Sequence, residues 1–136
     1  MRRILLSVLV LSLVQGCQLP PERVPIQPLP EGGPPLPYAE LLTRARAQAM
    51  AATEAYYVNR WTDVEDMGKA IEQTAKYLVK AEEVPAKNKD NLNELSGDLA
   101  KEAKKLREAA AARNIDATNE ALKSLNARVR ALRLTD

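Results

Sequence analysis

Eight of the nine prolines fall between residues 20 and 37: Pro20, Pro21, Pro25, Pro28, Pro30, Pro34, Pro35 and Pro37. Proline fixes φ and has no amide hydrogen, so neither a helix interior nor a sheet ladder tolerates that density. After residue 37 there is one proline, Pro85, and two glycines, Gly68 and Gly97. The chain is thereby divided before anything else is read. One part cannot be regular. The other, about 100 residues, is large enough for one small domain. Alanine, leucine, lysine and glutamate dominate it, and its β-branched residues never alternate, which leaves helix.

Four helices are expected over residues 38–136. The first spans about 37–59, with Pro37 in its opening turn. Its inward face is Tyr38, Leu42, Ala45, Ala49, Ala52 and Tyr56. The second begins at a Thr62-x-x-Glu65 capping box and ends before Pro85, with Asp63 and Asp66 near its positive end. Its stripe is Val64, Met67, Ile71, Ala75 and Leu78. The third covers about 86–113, with Leu92, Leu95, Leu99, Ala103, Leu106 and Ala110 inward and a soft spot at Ser96-Gly97-Asp98. The fourth follows Asn114, with Thr118, Leu122, Leu125, Val129 and Leu132 inward. Similar lengths and short links imply an all-α, antiparallel up-down-up-down four-helix bundle. A three-helix or looser hairpin stack is the alternative.

The N-terminal end carries a different signal. Arg2 and Arg3 precede an apolar run over residues 4–14, followed by Val14-Gln15-Gly16-Cys17. The run falls short of the ~20 residues that span a bilayer and fits a cleaved export signal. Gly16 is small, as a peptidase requires before its cut, and Cys17 is the only cysteine. An exported chain with one thiol has no internal disulfide to form. Residues 1–16 resemble a bacterial lipoprotein signal peptide ending in a lipobox. The resemblance implies acylation of Cys17 and anchoring to a membrane facing the periplasm. Gln18, where an aspartate would favour inner-membrane retention, leans toward the outer membrane. An uncleaved anchor, or an ordinary signal with a chance cysteine, is the other reading. Residues 17–37 would then be a disordered, proline-rich spacer. At roughly 3 Å per residue it would hold the domain up to about 60 Å from the membrane. Pro34-Pro35-x-Pro37 also has the form of a docking motif for a proline-reading partner.

Charge and composition exclude several functions. Without Arg2 and Arg3 the chain has 18 basic and 18 acidic side chains. A nucleic-acid binder needs a basic footprint, so none is expected. There is no histidine, hence no histidine base, triad or metal ligand. There is no glycine-rich phosphate loop. No enzymatic activity, cofactor or metal is expected. Met67 lies on an inward stripe, and Met50 lies roughly 120° off the stripe of the first helix. A two-methionine copper(I) site is weighed there against interior gap-filling. Lys101, Lys104, Lys105 and Arg107 interleave with Glu102 and Glu108 and read as a solvated face of i,i+3 and i,i+4 pairs. Tyr56, Tyr57 and Trp61 gather at the first turn as the candidate binding patch, or as a seal for one end of the domain.

The last two helices, through Leu106-Arg-Glu-Ala-Ala-Ala-Ala-Arg-Asn-Ile-Asp116 and Ala121-Leu-Lys-Ser-Leu125, resemble the cytochrome c-prime family and the soluble b-type cytochromes of the same fold. Trp61, Val64, Gly68 and Ile71 look like the opening of the second helix there. The haem residues do not carry over. Where the family has its C-x-x-C-H motif, this chain has Ala127-Arg-Val-Arg-Ala-Leu-Arg133. The implied protein is a haem-less relative with a binding or scaffolding role near the membrane and an unidentified protein partner or small ligand. The alternative is a small-ligand, metal or haem binder related to those electron-transfer proteins.

Overall fold

The computed structural model describes residues 26–133. The signal, Cys17 and the first part of the proline-rich stretch lie outside the described residues. Among these residues there are five helices and no strand: α1 Tyr38–Tyr57, α2 Trp61–Leu78, α3 Ala86–Lys89, α4 Leu92–Ala111 and α5 Ile115–Ala131. The fold is all-helical, as expected. α2 packs on α1 and on α4, α4 packs on α5, and α5 returns to α1 through the least extensive contact of the four. None of the helices is long and apolar enough to cross a membrane.

The expected inward stripes form the core almost throughout. Leu42, Ala45, Ala49 and Ala52 of α1 are buried, as are Val64, Ile71, Ala75 and Leu78 of α2. Leu99, Ala103, Leu106 and Ala110 of α4 meet Leu122, Leu125 and Val129 of α5 in the same cluster. Tyr56, Met67 and Leu95 pack at its edge and are only partly buried. The alanines of α1 bring neighbouring backbones close. Gly68 does the same between α2 and α4: a Cβ there would lie 3.0 Å from Arg107 Cβ and 3.1 Å from the Ala103 carbonyl oxygen.

Two helix boundaries differ from expectation, and the end of α2 falls well before the limit set by Pro85. α2 begins at Trp61, so Thr62 is already inside it and the Thr62–Glu65 capping box does not form. The cause is the way α1 stops. Arg60 N–H donates to the Ala55 carbonyl (2.9 Å) and Asn59 N–H to that of Tyr56 (3.1 Å), with Asn59 at φ 58°. This paired closure satisfies the last carbonyls of α1 and delivers the chain directly into the next helix. The same closure ends α4, with Arg113 at φ 51° and Asn114 N–H on the Ala109 carbonyl. There Asn114 does cap α5, accepting from Ala117 N–H at 3.0 Å.

α2 also ends sooner than Pro85 requires, because Glu82 pairs with the chain entering α1. Tyr38 N–H donates to the Glu82 carbonyl (2.8 Å) and Glu82 N–H to that of Leu36 (3.0 Å). The third expected helix is divided at residues 90–91, while Ser96-Gly97-Asp98 runs on unbroken within α4. The break holds Asn88 of α3 inward. Its Nδ2 donates to the Tyr38 hydroxyl (2.8 Å), which in turn donates to the Leu132 carbonyl (2.7 Å). That chain of bonds ties the start of α1 to α3 and to the end of α5.

The proline-rich stretch is not a free spacer over residues 26–37. Leu29 and Leu36 pack against the core. Gln48 Nε2 donates to the Ile26 carbonyl (3.3 Å) and Arg44 Nη1 to that of Gln27 (3.1 Å). Tyr77 Oη donates to the Pro30 carbonyl (2.5 Å), and Lys80 Nζ to the Gly33 carbonyl. Proline-rich backbone keeps its carbonyls while losing donors, so α1 and α2 supply the donors. The segment is a strap along those two helices, so residues before Tyr38 already belong to the packed body.

Two measurements check this packing. Gly68→Ala gains helix propensity of about 1 kcal/mol, yet it overpacks against backbone that has little room to yield. It is expected to lower stability by about 1 kcal/mol or more net. Gly97→Ala, whose Cβ meets nothing within 4 Å, is expected to raise stability by about 0.5–1 kcal/mol. Urea midpoints followed by circular dichroism decide both. Burial raises the Tyr38 pKa above its ordinary 10.0, outweighing the Asn88 hydrogen bond and the Arg46 charge that lower it. The stability this gives is full below the unfolded value and falls as pH rises through the folded one. Tyr38→Phe is expected to cost about 1–3 kcal/mol at neutral pH and to flatten the alkaline fall in the urea midpoint.

Candidate functional site

The reversal after α1 places Trp61 against Tyr56. Their ring centroids are 5.9 Å apart and edge-on, and Tyr56 meets Tyr57 at 5.7 Å. The three aromatics expected to cluster therefore do, but they divide in their exposure. Tyr56 and Trp61 are partly buried against the core and close one end of it. Tyr57 is 76% exposed. Tyr56 Oη also reaches the Ile115 carbonyl at 3.4 Å, which brings the beginning of α5 to the end of α1. Beside Trp61, residues Arg60, Asp63 and Arg113 rim a hollow shared by the two tight turns. Arg60 and Asp63 pair there at 3.0 Å.

Two adjoining clefts run from this aromatic end along the seam between α1 and α5. One cleft of about 310 Å³ is lined by Tyr56, Tyr57, Asn119, Lys123 and Arg130 among others. An adjoining cleft of about 340 Å³ is lined by buried Ala49 and Val129, by exposed Met50, and by Arg46 and Arg130. No carboxylate lines either one. Met50 is 62% exposed, as is Ile115. The seam is open because the contact between α1 and α5 is thin, while the strap covers another side of α1, at Arg44 and Gln48.

The other sequence candidates fall elsewhere. Met50 lines the α1–α5 seam, whereas Met67 packs on the core from α2, so the two are not brought together. Among the described residues no three of Asp, Glu, His and Cys are placed to hold a metal ion. The basic run on α4 forms the pairs its spacing implies, Lys105–Glu102 at 2.9 Å and Lys104–Glu108 at 3.8 Å. Arg107 instead crosses to Glu72 of α2 at 3.0 Å, and that hydrogen bond holds its pKa above the usual arginine value. Cys17 is outside the described residues.

Sequence reasoning did not find the convergence of Arg46, Lys123 and Arg130 along the seam. A signal was present. Arg46, Met50, Thr53 and Tyr57 follow one line of α1 at steps of four, three and four, beside the alanine stripe. Their partners on α5 required the tertiary structure. No protein-family model matches the chain, and no curated protein or solved structure matches it at the level that marks a relative.

The different exposure of the aromatics sets an expectation. Tyr57→Ala should change stability by no more than about 0.5 kcal/mol. Tyr56→Ala, which removes both ring contacts and part of the core edge, should cost about 1–2 kcal/mol. Thermal melts followed by Trp61 fluorescence measure both.

Proposed function

We propose that this chain is a lipid-anchored protein of the bacterial cell envelope. Its helical body has a non-enzymatic role in binding or scaffolding near the membrane. The observation that carries the reading is the place of the one cysteine. Cys17 ends a short apolar run preceded by Arg2-Arg3 and follows a small residue. Two or three acyl chains on that residue give stable membrane binding where one chain does not. Gln18 supports the outer membrane as the destination. The missing histidine supports a body without acid–base or metal chemistry of the common kinds.

We read the body as an antiparallel up-down-up-down four-helix bundle of α1, α2, α4 and α5. Supporting that order are the ring of neighbour contacts and the tight turns joining α1 to α2 and α4 to α5. α3 belongs to the longer connection between α2 and α4. With its interior occupied by leucine and alanine, such a bundle meets partners at its surface, and the α1–α5 seam is the surface it leaves least covered.

Mass spectrometry of the N-terminal peptide from the membrane fraction of an expressing bacterium tests the anchor. The expected species begins at Cys17 and carries diacylglycerol on sulfur. Cys17→Ser should abolish the acylated species that begins at residue 17, leaving an uncleaved precursor that retains Met1 or a soluble product without acyl chains. A wild-type product retaining Met1, or carrying a free thiol at Cys17, overturns the reading.

A further inference from the structure

We infer that the α1–α5 face rests on an anionic phospholipid surface. The inference builds on the lipid-anchored reading and assigns an orientation to the anchored body. Four observations meet on this face. Met50, Tyr57 and Ile115 are 62%, 76% and 62% exposed, and all three lie along the two helices or at the end they share. Arg46, Lys123 and Arg130 stand beside them, with no carboxylate lining the clefts between. Among the described residues no ion pair engages these three cations. An apolar lining beside two guanidinium groups suits a phosphate head with the start of its acyl chains, and a tyrosine suits the interfacial depth.

The tether is long enough to permit this orientation. Ile26, the first described residue of the strap, lies beside Gln48 of α1. Eight residues separate Cys17 from Ile26, and the nine steps between them span at most about 30 Å. A helix with its side chains is about 10 Å across, so the anchor reaches around α1 to the plane of the seam. A body held this close to a charged surface turns its cationic side inward. Each Lys or Arg near an anionic membrane adds to the attraction, which falls off within a Debye length.

The test supplies the tether artificially, so that it does not depend on acylation in the cell. The chain from Cys17 onward is coupled through that thiol to a maleimide lipid in vesicles. Two reporter variants are made in a Trp61→Phe background, Met50→Trp on the face and Lys101→Trp on α4. Brominated phospholipid in phosphatidylglycerol-containing vesicles should quench the first severalfold more than the second. The excess should vanish at high salt, in pure phosphatidylcholine, and in the triple variant R46E/K123E/R130E. Circular dichroism shows that each variant is folded, and should the triple variant unfold, Arg130→Gln alone should lower the excess. Equal quenching at the two positions, expected if the face instead receives an acidic protein, overturns the inference. So does an excess that survives both salt and the removal of the anionic lipid. A free thiol at Cys17 in the cellular protein would sink the anchor reading separately, through the N-terminal mass.

Discussion

Close approach of helix backbones is the constraint on which the rest of this structure depends. The sequence has no phenylalanine and a single tryptophan. Few large side chains are available to fill wide gaps, so the gaps must be narrow. Ala45, Ala49, Ala52 and Ala55 line the inner side of α1, and Gly68 lets α2 settle on α4 at the level of Ala103 and Arg107. Contacts between such small groups are individually weak. They add up only when surfaces match over several turns. The polar bonds of the interior then fix which turn meets which: Thr74 Oγ1 to Gln48 Oε1 at 2.8 Å between α1 and α2, and Asn88 through Tyr38 to Leu132 at the other end.

Much of this was legible from periodicity. The inward stripes of the four long helices were readable because apolar residues recur at three and four, and burial follows the same rule. The errors arose where tertiary contacts overrode local signals. Thr62 and Glu65 have the spacing of a capping box, but the closure after Tyr57 had already used the intervening residues. Residues 86–113 read as one helix because no breaker stands at Asp90 or Asn91. The break serves Asn88, whose partners are fifty and forty-five residues away in sequence. The proline-rich stretch was read from what proline cannot do. Its free carbonyls are equally a property of proline, and Arg44, Gln48, Tyr77 and Lys80 answer them. The aromatic cluster was visible as neighbours in sequence. The cations of the seam come from two helices that adjoin only after folding.

The surface is consequently uneven although its charges nearly balance. Acids and bases on α4 neutralise each other within a turn, and Arg107 is held by Glu72 of α2. On the α1–α5 side the bases lack such company, and exposed apolar groups lie among them. An equal count of charges over the whole chain hid this separation, since a net value carries no information about where the charges lie.

The strap gives the body a mechanical property as well. Tension applied on the N-terminal side of Ile26 meets its attachments in sequence, first at Gln48 and Arg44, then at Tyr77 and Lys80, and last at Glu82. The attachments are thus spread along the strap rather than gathered at one point. Ten residues lie between Ile26 and Pro37, so peeling releases up to about 35 Å of extra leash over the eleven steps.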